Sequence, residues 1–477
     1  IGLVRRAGEL PRAVFGVGRS AIAIDPNSWR REWGERVPTT GVLSISVPGV
    51  VSGWQAMHEL GGRIPFGQLL EPAIALAAGG VAVSVSVGRA LQALDGPDPG
   101  LAQIFGPQGS RLGLGEVFVQ QQLAETLAQI AADPASYYRG ALADRLARGL
   151  EAVGSPITRE DFARHRVVVT EAPMTRAGEL APRLFTAGLP SQGPFFAALV
   201  ETVSQMLAEG YDLRGRDAAL LARAFDGVSN LRDELLSDPS RGPGADVLRA
   251  RLAEIDLFGE ARSVGRAGSL VAEGAAGVAE AAAPPSGDTV AVVVHDERGN
   301  SVSMLQSVFH SFGSRFLDPA TGVLYHNRQS MFTLRAGAPG ELGPGRMPPH
   351  TLCPVMVDGT GDAPALVLAT MGGYSQPQIL AQVLLHFAAG ASATEAVAAP
   401  RFVVGDSDTA RSPSVVTAEE DLPTDASSSL LEGGFDVRTV GRRSEEMGHC
   451  QVLRVGATGV VDAGADPRSD GLAVRSG

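Results

Sequence analysis

The pattern of hydrophobic and polar positions divides the chain into a mainly helical first part and a later part rich in strands. Residues 1–60 are typical of strands and turns. Apolar residues recur at helical spacing in residues 51–80, 115–150 and 196–236. We therefore expect several helices before the strands of the later part begin.

Short local signals predict where two of the elements begin. Thr158, with Asp161 three residues on, is typical of the cap of a helix start. Further along, Asp296-Glu-Arg-Gly-Asn300 separates two strand-like runs, residues 290–295 and 301–307. This predicts a hairpin whose turn places glycine where a positive φ is needed.

The last third of the chain predicts further packed strands. Residues 365–369 form a short apolar run that Gly372-Gly373 breaks, and a helix is expected from about Gln376. Residues 451–455 predict a late strand. Helices followed by packed, doubly covered strands favour an α/β layered sandwich.

The junction between Asp288 and Thr289 carries the main functional signal. Residues 262–288 are rich in Ala and Gly and are predicted to be a flexible linker, and a strongly apolar strand begins at Thr289. This join is explained if the chain is cut there, because Thr289 would then carry a hydroxyl nucleophile and its own α-amine base. An α-amine with a pKa of about 7.7–8.0 suits general base catalysis. The sequence therefore predicts a self-processing hydrolase.

Composition excludes several other classes of function. The net charge of −12 disfavours binding to nucleic acid or anionic lipid, and aromatic residues are scarce. The chain has no Lys, which excludes a Schiff-base lysine, pyridoxal-phosphate chemistry and a Walker-type phosphate loop. Cys353 and Cys450 make neither a disulfide framework nor a zinc site. The sequence contains no run of 18 apolar residues and therefore does not predict a membrane-spanning helix.

Other motifs give weaker signals. Gly16-Val-Gly-Arg-Ser-Ala21 mimics a dinucleotide-binding fingerprint, but no clear helix is predicted after it, since Asp25-Pro breaks the chain. The chain opens with Ile1-Gly-Leu-Val-Arg5, which is typical of a strand inside a domain, so we expect further sequence upstream. A cytoplasmic location is expected, with a secreted or periplasmic one left open by this truncation.

Several short stretches resemble the γ-glutamyltranspeptidase family of N-terminal-nucleophile hydrolases, in common order over nearly the whole chain. They are Val47-Pro-Gly-Val-Val-Ser-Gly-Trp54, Glu71-Pro-Ala-Ile74, Pro190-Ser-Gln-Gly193, Gly287-Asp-Thr289, Asp296-Glu-Arg-Gly-Asn300, Phe312-Gly-Ser314, Met371-Gly-Gly373, Ala399-Pro-Arg-Phe402 and Gly464-Ala-Asp-Pro-Arg-Ser-Asp-Gly471.

The resemblance implies a four-layer αββα sandwich and self-cleavage between Asp288 and Thr289. The products would be residues 1–288 and 289–477, associated in one intertwined domain, with a heterotetramer also possible. The family's second hydroxyl, which hydrogen-bonds the nucleophile, falls on Ser307. The family's oxyanion glycines fall on Gly372 and Gly373, and no metal or organic cofactor is implied.

The chain departs from the family where true transpeptidases bind the glutamate α-amino group. Those positions hold Phe309, Arg328 and Met331, which cannot satisfy an ammonium ion. His350-Thr351 replace paired serines that help hold the α-carboxylate. We therefore expect a small carboxylate-bearing substrate held by Arg328, since a guanidinium binds carboxylates bidentately.

Two further residues are predicted to line the pocket, and some of the site residues also have a purely structural interpretation. Tyr374 and Gln376 follow the oxyanion turn, and the fold implied by the resemblance turns such side chains toward the pocket. Arg328 could instead be a surface ion-pair residue, and His350 a structural histidine. His326 is predicted to be structural.

Four functions stay open at this point. The first is amide hydrolysis through an acyl-Thr289 intermediate. The second is hydrolysis of an activated C–C bond by the same nucleophile, as in the family's divergent members. The third is a true γ-glutamyl hydrolase or transpeptidase, and the fourth is an unprocessed, non-catalytic scaffold.

Overall fold

The computed structural model describes the chain except for residues 95–98, 107–108, 241–244, 255, 264–286, 360–363, 406–413, 457–458 and 476–477. Strands are numbered in chain order as β1 Gly2–Arg5, β2 Arg12–Phe15, β3 Val81–Ala82, β4 Val117–Phe118, β5 Val168–Glu171, β6 Met174–Ala177, β7 Ala181–Thr186, β8 Gly287–His295, β9 Ser301–His310, β10 Val355–Asp358, β11 Pro364–Met371, β12 Phe402–Val404, β13 Val415–Glu419, β14 Asp436–Val440, β15 His449–Val455 and β16 Val461–Ala465.

The α-helices are α1 Pro26–Trp33, α2 Val50–Glu59, α3 Phe66–Gly79, α4 Val85–Ala93, α5 Pro99–Phe105, α6 Gln121–Ala132, α7 Ser136–Arg139, α8 Ala141–Ala152, α9 Arg159–Arg164, α10 Gly193–Ala208, α11 Ala218–Leu235, α12 Ala245–Glu254, α13 Leu257–Ser263, α14 Gln376–Ala388, α15 Ala393–Ala398 and α16 Thr424–Glu432. Short 3-10 helices occupy Val42–Ser44, Arg328–Met331, Gly373–Ser375 and Glu445–Met447.

The chain forms two compact units. The first contains Ile1–Arg6, Arg12–Thr170 and Gln306–His350, and the second contains Ala7–Pro11, Glu171–Leu305 and Thr351–Gly477. Strand β9 passes from the second unit into the first. It belongs to a five-stranded sheet of order β5-β2-β1-β9-β8.

The first unit places helices on the β1–β2 strand pair and around its own core. Helix α2 packs on β2, and helices α7, α8 and α9 pack together. Their buried apolar residues include Tyr137, Leu146 and Phe162. A small second cluster gathers around α4, α5 and the β3–β4 pair.

The second unit is built on a six-stranded sheet of order β16-β15-β11-β10-β7-β6. Helices α10 and α14 pack on strands of this sheet, and α11 packs on α10. Strand β8 also packs on this sheet, against β11 and β15, so helices and a strand of the five-stranded sheet cover it. A separate three-stranded sheet has the order β12-β13-β14.

Most of the predicted elements are present. Thr158 accepts from the Asp161 backbone N–H, and the Asp161 side chain accepts from the Thr158 N–H, so the expected cap is a complete capping box. The 296–300 turn forms, with Gly299 at φ 87° and Asp296 N–H donating to the Asn300 carbonyl at 3.0 Å. Helix α14 begins at Gln376, as predicted.

Two predictions about local structure are wrong. Asp25-Pro26 does not end regular structure: the Asp25 carboxylate caps α1, and Pro26 suits its first turn because it lacks an N–H that would need a partner. Strand β8 begins at Gly287 rather than at Thr289, and α13 continues to Ser263. Residues 262–263 and 287–288 of the predicted linker therefore belong to α13 and β8, and residues 264–286 lie outside the described part.

The glycines of the fingerprint-like segment have a packing role. A Cβ on Gly18 would lie 1.4 Å from the Val47 carbonyl oxygen, and one on Gly16 would lie 2.8 Å from that of Gly49. Only glycine allows the backbones to approach this closely. This accounts for the motif without a nucleotide.

Candidate active site

The proposed nucleophile lies near the beginning of β8. Thr289 is partly exposed and Asp288 is exposed, so the junction between them lies within the first residues of a strand at the surface. The hairpin with β9 is closed by His295 Nδ1 and Ser301 Oγ, which lie 2.9 Å apart. Because β8 packs against β11, the strand that carries Thr289 faces the strand that ends at Gly372-Gly373.

The Gly372-Gly373 turn has a backbone that excludes side chains. Gly372 has a φ of 149° and Gly373 a φ of 51°, which L-residues rarely adopt. A Cβ on Gly372 would lie 2.4 Å from Ile379 Cδ1. The turn then continues into α14, and Ser375 N–H donates to the Gly372 carbonyl at 2.8 Å.

Arg328 is a buried cation in contact with two other predicted site residues. Its side chain is 2% exposed. Its Nη2 donates to Ser307 Oγ at 2.9 Å, and its guanidinium carbon lies 4.1 Å from the centre of the Phe309 ring. The interpretation of Arg328 as a surface ion-pair residue is therefore wrong.

Phe309 has an unusual backbone conformation. Its φ of 80° is strained for a bulky residue, and its N–H donates to Ser307 Oγ at 2.9 Å. Its ring stacks on the His310 imidazole, with ring centres 4.1 Å apart. The structure thus gathers Ser307, Phe309, His310 and Arg328 in the first unit.

Two further imidazoles beside Arg328 are held neutral. Burial, reinforced by the Arg328 charge, lowers the pKa of His326 to about 4, against a smaller opposing effect of its hydrogen bond with the Val47 backbone. The same two causes, burial first, hold the pKa of His350 well below its ordinary value. Near neutral pH both rings are therefore uncharged, and Arg328 supplies the positive charge of this group.

Two further residues organise this group: Asn327, which the sequence analysis did not single out, and His326, which it predicted to be structural. Asn327 accepts from the His310 N–H at 3.1 Å, and its side-chain nitrogen lies 2.9 Å from His310 Nδ1. His326 Nδ1 accepts from the Arg328 N–H at 3.1 Å. The signal in the sequence was their position within two residues of Arg328.

The remaining predicted site residues lie in the second unit, except His350. Thr351 and Gln376 are buried, and Gln376 Oε1 accepts from the Cys353 N–H at 2.9 Å. Tyr374 is half-buried, and its ring lies under the guanidinium of Arg232 at 4.5 Å. His350 is buried in the first unit, and its Nδ1 has no hydrogen-bond partner among the described residues.

Metal sites, thiols and membrane-spanning helices are the other features of the described part of the chain that bear on function. There, no group of three or more His, Cys, Asp or Glu residues could hold a metal ion. Cys353 and Cys450 are both buried and free, and burial raises the pKa of each thiol, which agrees with a structural role. None of the described helices combines the length and the apolar character needed to cross a bilayer.

Comparison with known proteins decides the family. The family model described as Gamma-glutamyltranspeptidase matches residues 4–476. The chain belongs to the γ-glutamyltranspeptidase family.

Two relatives within this γ-glutamyltranspeptidase family match almost the whole chain. The oxamate amidohydrolase proenzyme of Klebsiella pneumoniae subsp. pneumoniae is 31% identical, over 96% of this chain and 85% of that protein. The glutathione hydrolase-like YwrD proenzyme of Bacillus subtilis is 30% identical, over 96% of this chain and 86% of that protein. These matches confirm an enzyme of the γ-glutamyltranspeptidase-like hydrolase class.

The fold also matches that of a solved relative. The crystal structure of cephalosporin acylase from Bacillus halodurans superposes with a TM-score of 0.84, covers 100% of this chain and 87% of that chain, and is 24% identical. At this identity the match concerns the fold alone. It confirms the predicted α/β fold.

Proposed function

We propose that this member of the γ-glutamyltranspeptidase family is a self-processing amide hydrolase with Thr289 as its nucleophile. The observation that carries the proposal lies within the second unit. Strand β8, which carries Thr289, packs against β11, and β11 ends at the Gly372-Gly373 turn with its two positive φ angles. This gives a hydroxyl and a possible oxyanion site on facing strands.

The reaction begins with scission of the 288–289 peptide bond. The Thr289 hydroxyl attacks the Asp288 carbonyl, and water hydrolyses the resulting ester, which leaves Thr289 with a free α-amine. In turnover, this amine takes the hydroxyl proton while Oγ attacks the substrate amide. The N–H groups of Gly372 and Gly373 stabilise the oxyanion, and the protonated amine gives its proton to the leaving group. Water then releases the acid from the acyl-Thr289 ester.

Three proenzyme relatives support the processing step. The names of both the oxamate amidohydrolase and the YwrD protein describe proenzymes. The acylase ACY 1 proenzyme of a Pseudomonas species is a third, 27% identical over 93% of this chain and 77% of that protein. A two-segment mature enzyme is therefore the form we propose for this chain.

The substrate we propose is a small amide that carries a carboxylate. Arg328 is buried against Phe309, and the neighbouring His326 and His350 are neutral. A buried guanidinium in such surroundings favours an anion over a cation. A γ-glutamyl ammonium group would meet like charge at this position, which disfavours a true transpeptidase. Oxamate, whose carboxylate adjoins its amide carbonyl, is the probe that fits this class.

The processing step is tested with Thr289→Ala and Thr289→Ser. Intact mass and N-terminal sequencing should find two segments in the unmodified protein and in Thr289→Ser, the second segment starting at residue 289. Thr289→Ala should remain one chain and lose turnover by about four orders of magnitude or more. An uncleaved yet active protein, or a cleaved and active Thr289→Ala, would exclude Thr289 as the nucleophile.

The substrate class is tested with a panel of amides. Oxamate, neutral oxamide, a γ-glutamyl anilide and an activated α-keto diacid are compared by kcat/KM. We expect oxamate to be hydrolysed at least about tenfold better than oxamide, since a charged hydrogen bond contributes about 1.5–3 kcal/mol. A preference for the anilide indicates a γ-glutamyl enzyme, and a preference for the diacid indicates C–C bond hydrolysis. Either result overturns the proposed substrate.

A further inference from the structure

A buried glutamine joins two main-chain segments of the second unit. Gln192 is fully buried immediately before α10. Its Nε2 donates to the Thr351 carbonyl at 2.6 Å and to the Gly373 carbonyl at 3.1 Å. Its Oε1 accepts from Arg232 Nη1 at 3.4 Å. The whole side-chain amide is therefore used in internal contacts.

The same arginine also holds the residue after Gly373. Arg232, on α11, is 2% exposed, and its Nη1 donates to the Tyr374 carbonyl at 3.3 Å. Its Nη2 and Nε donate to Asp233 Oδ1 at 2.8 Å and 3.0 Å. Since these contacts fix the guanidinium, its position against Gln192 and Tyr374 is set by α11.

These contacts orient the peptide planes of the turn. In a trans peptide the C=O and the following N–H point in opposite directions, so a bond to one fixes the other. The Ser375 N–H holds the Gly372 carbonyl and thereby orients the Gly373 N–H. Gln192 holds the Gly373 carbonyl and Arg232 holds that of Tyr374, so these two bonds fix the peptide planes that directly follow Gly373. Two consecutive glycines have little steric preference of their own, so the orientation depends on such partners.

We propose that Gln192, supported by Arg232, is a positioning residue for the oxyanion donors of the Gly372-Gly373 turn. It fixes the turn by donating to the Gly373 carbonyl, and it ties the turn to the Thr351 segment through its second donor. The inference rests on the proposed role of Gly372 and Gly373 in catalysis.

Two substitutions separate this role from general packing. Gln192→Leu removes all the side-chain hydrogen bonds of Gln192 described above. Gln192→Glu keeps an acceptor for Arg232, with a stronger ion pair, but has no N–H groups for the two carbonyls. If donation to the turn matters, both variants lose kcat. If Gln192 only anchors Arg232, Gln192→Glu retains the kcat of the unmodified protein.

A buried glutamine on α14 supplies a matched control. Gln382 is also buried, and its side chain bonds the Phe402 carbonyl at 2.8 Å and the Phe402 N–H at 3.2 Å. Gln382→Leu removes the same kind of contact from β12 instead of the turn. It should destabilise the protein without altering the Gly372-Gly373 turn.

The experiment measures oxamate hydrolysis and hydrogen exchange on the processed full chain. We expect both Gln192 variants to lower kcat roughly 10- to 100-fold with KM within about threefold, since small displacements of catalytic groups cost about this much. Exchange at residues 372–376 should accelerate in both variants and stay unchanged in Gln382→Leu. Unchanged exchange there, or normal kcat in Gln192→Glu, overturns the inference.

The failure of the proposed function gives a different result. If the unmodified protein does not hydrolyse oxamate, the substrate proposal fails, and the exchange measurement still decides whether Gln192 fixes the turn. If the unmodified protein is active and both Gln192 variants match it, only the positioning role is wrong.

Discussion

Arg328 Nη2 and Ser307 Oγ are joined by a 2.9 Å hydrogen bond, and the Phe309 N–H donates to the same oxygen at 2.9 Å. A serine hydroxyl has two lone pairs and one proton. Both incoming bonds use lone pairs, so the Ser307 proton can only be donated to another group. The family resemblance implies that the acceptor of this proton is the nucleophile oxygen.

Replacing Ser307 by Ala should therefore lower kcat. We expect a loss of roughly 10- to 100-fold on oxamate, with a smaller change in KM, because a bond to the nucleophile supports chemistry more than substrate binding. The measurement is steady-state kinetics of the processed protein.

Ser303 on the same strand provides the comparison. Its buried hydroxyl donates to the Leu368 carbonyl at 2.6 Å and accepts from the Val355 N–H at 3.3 Å. Ser303→Ala should cost stability, by about 1–3 kcal/mol, and leave kcat within about threefold. Equal losses of kcat in the two variants would argue against a specific role of Ser307.

Substitution of Arg328 should change substrate preference. Arg328→Gln removes the buried charge and should lower kcat/KM for oxamate by about two to three orders of magnitude, since a buried charged pair is worth about 2–5 kcal/mol. The neutral oxamide should lose much less. Arg328→Lys keeps the charge but lacks the planar guanidinium. Its kcat/KM for oxamate should lie between that of the unmodified protein and that of Arg328→Gln. Parallel losses for both amides would show that Arg328 does not bind the carboxylate.

The sequence predicted the local features of the fold better than the contacts of the site. The capping box of Thr158 and Asp161 spans three residues and could be read directly. Helix α1 was missed because Asp25-Pro26 serves equally well as a chain break and as a helix start. The contacts of Gln192 could not be predicted, because its partners Thr351 and Gly373 are 159 and 181 residues away.

The buried His326 should make the protein sensitive to acid. Its pKa is about 4 in the folded chain, against about 6.5 for an unperturbed histidine. The unfolded chain therefore binds the proton first, so His326 contributes stability above pH 6.5 that is lost as the pH falls toward 4. The full contribution is on the order of 3 kcal/mol.

Urea unfolding between pH 7 and pH 4.5 measures this dependence. His326→Gln, which does not titrate, should be less stable at pH 7 and should lose less stability on acidification than the unmodified protein. Since other groups titrate in both proteins, the difference between the two curves isolates His326. Parallel curves would show that the imidazole is not held neutral.

A methyl group at Gly372 should block catalysis more than folding. In Gly372→Ala the new Cβ would lie 2.4 Å from Ile379 Cδ1, at a φ of 149° that disfavours any side chain. We expect kcat to fall by about two orders of magnitude or more as the turn moves. Gly434→Ala is the control, since Gly434 has a φ of 85° and nothing within 4 Å of a Cβ. Gly434→Ala should lose stability because of its positive φ and should keep the full kcat.

The buried charges of the second unit should matter chiefly for stability. Asp466 forms an ion pair with Arg401, accepts from Arg468 Nη1 at 3.1 Å and accepts from the Cys450 N–H at 3.0 Å. Burial opposes ionisation of Asp466, but the two guanidinium groups and the Cys450 N–H outweigh it and hold its pKa below the ordinary value. The carboxylate is therefore charged at neutral pH, and among the described residues it is the ion-pair partner of Arg401.

Asp466→Asn leaves the buried Arg401 without that partner, and the cost should be about 3–5 kcal/mol in the free energy of unfolding. The exposed pair of Glu160 and Arg164 on α9 is the control, because Glu160→Gln should change stability by less than about 0.5 kcal/mol. Urea unfolding of the two variants at pH 7 measures both. Because the Asp466 site is buried and the Glu160 site is exposed, similar costs in the two variants would mean that water reaches Arg401.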